Sequence, residues 1–144
     1  MNFTFGKYKD KPVAWVLLSN PDYFKWMKKE GITDKKEYQF ALELLQTLEA
    51  KPFSGARCSG GCKGANIPTR LSLYQGRNNM DMWFCDSCDP YECGAILGKL
   101  STISRFNEFV NCGSQKNGLI KTYCKAKGVP SKKTSSSLEA YFGY

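Results

Sequence analysis

The 144-residue sequence predicts a small α+β fold, and three observations carry that prediction. Two stretches of alternating residues, Arg70 to Tyr74 and Met80 to Phe84, read as strands that Gln75-Gly76-Arg77-Asn78-Asn79 joins into a hairpin. Two close pairs of cysteines bracket that hairpin, Cys58 with Cys62 and Cys85 with Cys88, in a C-x3-C, 22-residue spacer, C-x2-C array. Apolar residues at helical spacing flank the array on both sides. Between the pairs stand Leu71, Leu73, Met82, Trp83 and Phe84, too few aliphatics for a core of their own. Four thiolates on two tight turns offer the tetrahedral donor set that Zn²⁺ prefers. A structural zinc contributes roughly 10–16 kcal/mol of apparent binding energy, enough to offset ordering so poorly packed a segment. The expected architecture is a small zinc-ribbon-containing domain with flanking helices. Buried free thiols, or a redox pair at Cys85-Asp86-Ser87-Cys88, are the competing readings, and the second lacks the βαβ context of a thioredoxin-like site.

The elements follow in order. Asn2 to Phe5 alternates polar and aromatic residues as a short strand, ended by Gly6. Lys7, Lys9 and Lys11 recur at period two, which in extended chain puts three ammonium groups on one side and Tyr8 on the other. Val13 to Leu18 is an apolar run that suits strand or helix. Asn20-Pro21-Asp22 opens a helix with a cap acceptor, a proline at the first position and a carboxylate near the positive end of the dipole. Gly31 ends it, and Tyr23, Trp26 and Met27 share a face expected to be mostly core. Asp34 and Glu37 resemble a capping box ahead of Tyr38, Ala41, Leu44, Leu45 and Leu48, which line one helical face. Lys51-Pro52-Phe53-Ser54-Gly55 breaks the chain before the ribbon. Beyond it, Ala95 to Leu100, Ile103 to Val110 and Leu119 to Lys127 read as helices, and Ser131 to Ser137 as a flexible polar linker. Four segments result: a loop-and-helix module at 1–56, the ribbon at 57–93, a basic helical segment at 94–130 and a tail at 131–144.

Three more cysteines remain. Cys112 and Cys124 sit on apolar helical stretches and read as core thiols, whereas Cys93, five residues after Cys88, could replace it as fourth ligand. An odd count suits metal ligation in a reducing compartment. Nothing approaches a membrane-spanning run and the first residues lack the apolar segment of a signal peptide, so an intracellular protein without membrane contact is expected, nuclear if its host is eukaryotic.

Net charge is +8 with 14% aromatic residues, a combination that suits nucleic acid, where cations meet phosphates and rings stack on bases. The charge is uneven. Residues 1–57 hold ten Lys/Arg against seven Asp/Glu, residues 58–93 three against four, and residues 94–144 eight against two. Phosphate contacts are therefore expected from Lys7, Lys9, Lys11 and the C-terminal third, with Tyr8 as a stacking face, and with Arg70 and Arg77 as the ribbon's contribution to reading bases or ends.

Phe5-Gly6-Lys7-Tyr8-Lys9-Asp10-Lys11, followed by Asn20-Pro21-Asp22-Tyr23-Phe24-Lys25-Trp26, resembles the exodeoxyribonuclease X-like C-terminal domain. That family carries an FGKYKGK loop and then a helix opening with proline and bearing tyrosine and tryptophan. Asp10 stands where the family commonly has glycine, and its charge lowers the potential of the loop. The resemblance implies a DNA-associated accessory module and transfers no catalytic residue. The C-terminal end resembles the PCNA-interacting peptide (PIP box) by which replication and repair proteins dock on a sliding clamp. Ser135 stands in the glutamine place, Leu138 in the aliphatic place, and Tyr141 and Phe142 in the aromatic places. A tail folded back on its own domain is the alternative.

Catalysis is not expected. Histidine is absent, and the one acidic cluster, Asp81, Asp86, Asp89 and Glu92, lies beside the metal turn. A site closed by four cysteines leaves no open position for substrate. The expectation is a zinc-binding, DNA-binding accessory protein of replication or repair, on single- or double-stranded DNA, docked on a PCNA-type clamp. A zinc-dependent adaptor that does not touch nucleic acid, or a nuclease using the acidic cluster, are the alternatives.

Overall fold

The fold comes from a computed structural model that describes residues 1–74, 80–88, 100–106 and 116–144. Among these are helices α1 (Val13–Ser19), α2 (Asp22–Lys29), α3 (Lys36–Ala50), α4 (Lys116–Ala126) and α5 (Ser135–Phe142), and strands β1 (Arg70–Tyr74), β2 (Met80–Phe84) and β3 (Leu100–Ile103). This is the α+β class that the sequence predicts. The chain forms two compact units, Met1–Lys51 with Val129–Tyr144, and Pro52–Gly128. That grouping differs from four consecutive segments: the tail belongs with the N-terminal module, and α4 with the ribbon.

In the first unit the ambiguous apolar run resolves as α1, a helix with Val13, Ala14, Val16, Leu17 and Leu18 all buried. A helix apolar on most of its circumference belongs at the centre, and α1 touches α2, α3 and α5. On α3 the buried face is Ala41, Leu44 and Leu48, with Tyr38 and Leu45 half-buried at its margin.

The entry to this unit is not the regular strand expected of Asn2 to Phe5. It makes one isolated bridge, Asn2 to Pro12, while Phe3 N–H donates to Lys11 O and Asp10 N–H to Phe3 O, both at 2.9 Å. Pro12 has no N–H with which to extend a ladder, and Phe3 is buried against Phe5, Tyr23 and Phe24 at 5.8, 5.4 and 5.8 Å. The lysine loop is turned, not extended. Lys9 N–H reaches Gly6 O at 3.2 Å and Lys11 N–H reaches Tyr8 O at 2.9 Å, so the period-two placement of the ammonium groups does not apply, although all three lysines are exposed.

Both expected side-chain caps give way to tertiary partners. Pro21 occupies the cap position of α2 without a side-chain bond, while the Asn20 amide donates to the Tyr8 hydroxyl. Lys35 caps α3, again without a side-chain bond, and Glu37 is only 1% exposed, accepting from the Thr4 hydroxyl at 2.6 Å. A buried polar group must be satisfied wherever a donor stands, and here the donors are distant in sequence.

The tail corrects the compositional reading of Ser131 to Ser137 as a flexible linker. Thr134 and Ser137 cap α5 reciprocally, Ser137 N–H to Thr134 Oγ1 at 3.1 Å and Thr134 N–H to Ser137 Oγ at 2.9 Å. Gly143, at φ 79°, closes the other end. Leu138 is 0% exposed and Phe142 is buried, and α5 packs on α1 and α3.

In the second unit β1 and β2 pair antiparallel in the expected hairpin, Arg70 opposite Phe84 and Tyr74 opposite Met80. Strand β3 lies antiparallel on the other edge of β1, Leu71 opposite Ile103, giving the order β2-β1-β3. This replaces the helical reading at Leu100 and Ile103. Helical spacing and a short buried strand are hard to tell apart in so brief a run, and β1 presents a free edge that backbone groups must satisfy. Helix α4 is as expected and buries Leu119, Ile120, Tyr123 and Cys124. Tyr123 meets Phe53 at 5.1 Å and Phe106 at 5.7 Å. The hairpin turn with Arg77, the helices expected over 95–99 and 107–110, Cys93, Cys112, Asp89, Glu92 and the Asp81 side chain lie outside the described residues.

Candidate metal centre

Strand β2 runs straight into the second cysteine pair, and the first pair is tied to the same strand by Ser59 N–H donating to Trp83 O at 2.7 Å. The hairpin thus brings residues far apart in sequence together at one end of the sheet. The Sγ atoms of Cys58, Cys62, Cys85 and Cys88 all lie within 4.8 Å of one another. A tetrahedron of thiolates at the usual zinc–sulfur distance of about 2.3 Å has edges of about 3.8 Å, so the four sulfurs could close on one metal ion with small movements. Among the described residues this is the group able to hold one.

The first turn depends on glycine. A Cβ on Gly60 would stand 2.5 Å from Cys88 Cβ and 2.6 Å from Cys88 Sγ, closer than such atoms approach. Around the sulfurs, Cys58 Sγ accepts from Gly60 N–H at 3.4 Å and Cys85 N–H at 3.3 Å, and Cys85 Sγ from the Asn66 amide at 3.6 Å. Asn66 is a residue that spacing gave no reason to single out. Its backbone N–H holds the Cys62 thiol down to about 6, against burial. Burial also opposes ionisation of Cys85, but the Asn66 side chain, Cys88 and the Ser87 backbone outweigh it and lower its pKa. Cys88 moves the other way, up to about 12: a backbone bond from Cys62 draws it down, yet the Cys85 thiol, burial and the other sulfurs prevail. Crowded like charges oppose full ionisation, and a divalent cation among them is what lets all four ionise together. The donor chemistry fits Zn²⁺, and four protein ligands would make its site structural.

Arg70, expected at nucleic acid, also has local partners. Its guanidinium donates to Cys88 O at 2.6 Å and Cys85 O at 3.3 Å, bracing the second cysteine turn. Asp86 accepts from the Thr69 hydroxyl at 2.7 Å, so it too has a local partner.

In the first unit, Lys7, Tyr8, Lys9 and Lys11 occupy one turned loop. Tyr8 is half-buried, edge-on to Tyr23 at 4.9 Å and to Trp15 at 6.3 Å. Lys7 Nζ lies 5.5 Å from the Tyr8 ring centre and Lys11 Nζ 6.0 Å from that of Trp15. Asp10 sits at φ 68°, the left-handed region where glycine is at ease and aspartate is tolerated. Trp26, expected in the core, is instead 45% exposed, stacked on Tyr23 at 5.3 Å and 25°. Of the tail residues, Leu138 and Phe142 are buried, Tyr141 is half-buried with Lys51 Nζ 4.2 Å from its ring centre, and Ser135 is exposed.

Fold and site together define a small α+β protein with a four-cysteine centre able to hold one metal ion. Residues 3–30 match the family model of the exodeoxyribonuclease X-like C-terminal domain. The match takes in the lysine loop, α1 and α2, the parts that Tyr8, Asn20 and Tyr23 lock together. No curated protein and no solved structure matches the chain. No helix among the described residues is long and apolar enough to cross a membrane.

Proposed function

We propose that this chain is a non-catalytic, zinc-stabilised DNA-binding accessory protein of DNA replication or repair. One observation carries the reading most: exposed Lys7, Lys9 and Lys11 stand on a loop whose backbone is fixed by Gly6, Tyr8 and Asn20, inside the segment that resembles a domain of DNA-processing proteins. Point charges held on a fixed loop meet phosphates at little ordering cost. Zinc on Cys58, Cys62, Cys85 and Cys88 orders the second unit, with Arg70 supporting it from behind.

Titration of DNA binding against salt tests the proposal. With about six phosphate contacts, log K should fall against log salt with a slope near −4 to −5, and neutralising Lys7, Lys9 and Lys11 together should flatten it. An adaptor without DNA contact gives nothing to titrate, and magnesium- or manganese-dependent cleavage would favour the nuclease reading. Docking on a PCNA-type clamp through Ser135, Leu138, Tyr141 and Phe142 would need α5 to leave the first unit, because it buries two of those side chains there. A pull-down of clamp by the full chain decides this, and no retention removes the clamp from the reading.

A further inference from the structure

We propose that Trp26 is a base-stacking platform for single-stranded DNA, with Lys25, Lys28 and Lys29 taking the phosphates of the same strand. This rests on the DNA-binding reading and adds the form of DNA and a second contact surface. Helix α2 turns Tyr23, Phe24 and Met27 inward and leaves Trp26 45% exposed. Tyr23 covers one face of the indole at 5.3 Å and 25°, so the ring is already held in place. A pre-set ring loses little freedom on binding. Around it lies an open hollow of about 470 Å³, lined by Trp26, Lys25, Lys28, Lys29 and Asp22. Three cations against one carboxylate make it a place for a polyanion.

Packed rings connect the wall of the hollow to the loop. Trp26 stacks on Tyr23, Tyr23 meets Tyr8 at 4.9 Å, and Tyr8 meets Trp15 at 6.3 Å, with Lys7 and Lys11 beside the far members. Exposed lysines therefore stand at both ends of one aromatic run. In duplex DNA each base already has its faces stacked and offers edges and phosphates, whereas an indole face needs an unpaired base.

The test uses the zinc-loaded full chain and three ligands of equal length: oligodeoxythymidylate, the corresponding abasic strand, and a duplex. Trp26→Ala should weaken oligodeoxythymidylate binding about 5- to 150-fold, leave the abasic strand and duplex unchanged, and be largely rescued in Trp26→Phe. Indole emission should be quenched by oligodeoxythymidylate and not by the abasic strand. Unchanged affinity of Trp26→Ala, with Lys7, Lys9 and Lys11 still required, overturns the platform and leaves DNA binding standing. Equal losses on all three ligands overturn it too, since they would mark Trp26 as structural, as would polyglutamate competing as well as the oligonucleotide. If the wild-type chain binds none of the three, both readings fall.

Discussion

Gly6 lies directly against the hydroxyl of Tyr23. Its φ is +74°, and a Cβ built on it would collide with the phenol oxygen. Glycine is thus required twice over, by backbone conformation and by the approach of the loop to α2. The Tyr23 hydroxyl is itself buried without a hydrogen-bond partner among the described residues. Burial, with Tyr8 nearby, pushes its pKa up.

Gly6→Ala is expected to destabilise the first unit by about 1–3 kcal/mol in urea unfolding followed by circular dichroism. Tyr23→Phe alone should be neutral or stabilising, because it removes an unsatisfied buried group. Combined with Gly6→Ala it should recover part of the loss. Strict additivity in that cycle would dissociate the two residues.

Asp10→Gly should change stability little. Relief of a left-handed aspartate, roughly 1–2 kcal/mol, is largely offset by the extra backbone freedom of glycine in the unfolded chain, about 0.4–1 kcal/mol. DNA affinity should rise, because a carboxylate leaves the lysine loop. A fall in affinity would mean that Asp10 contacts the ligand favourably.

Elemental analysis should find one zinc for the cluster of Cys58, Cys62, Cys85 and Cys88. Chelation, or Cys85→Ser, should unfold the second unit and abolish its near-ultraviolet signal from Trp83, while α1 to α3 persist. Metal release should follow acidification, since thiolate ligands must be deprotonated. Stoichiometric protein free of zinc and fully folded would remove the metal from the account.

Glu37 should make stability depend on pH. Burial opposes its charge, but the Thr4 hydroxyl, backbone donors of Glu37 and Thr4, and Lys36 outweigh that and hold its carboxyl below the ordinary value of 4.5. The unfolded chain therefore binds the proton more readily, and stability rises with pH through this window. The contribution is complete above the unfolded value and is lost as pH falls through the lower, folded one. Glu37→Gln should flatten that acid limb and cost about 1–3 kcal/mol at neutral pH; an unaltered limb would assign acid sensitivity to other groups.

Leu138→Ala should cost about 2–5 kcal/mol, measured on the first unit, because Leu138 is wholly buried there. A flexible tail would give no change.

Several features were legible because they are local. The hairpin from Arg70 to Phe84, the cysteine pairs and the apolar face of α3 follow from spacing alone, and Cys124 is buried on α4 as its surroundings suggest. The α5 helix carried its own signals, Thr134 with Ser137 and a closing Gly143, but the polar composition around them hid these. Asn20 misled because it is a good cap by type, and Glu37 because it stands three residues after Asp34 as a capping box requires, and nothing nearby in sequence shows that Tyr8 and Thr4 will compete for them. Trp26 misled for a similar reason: helical spacing defines a face but not its width.

The sequence by itself determined the class of fold, the two cysteine pairs and the loop of lysines, since each depends on residue type at short separation. Tertiary structure decided which polar groups Asn20, Glu37 and Arg70 satisfy, that Trp26 faces outward, and that the tail is bound by Leu138 and Phe142. Burial favours a partner for each polar group and cover for each apolar surface, and the packed chain alone shows which distant residues supply them.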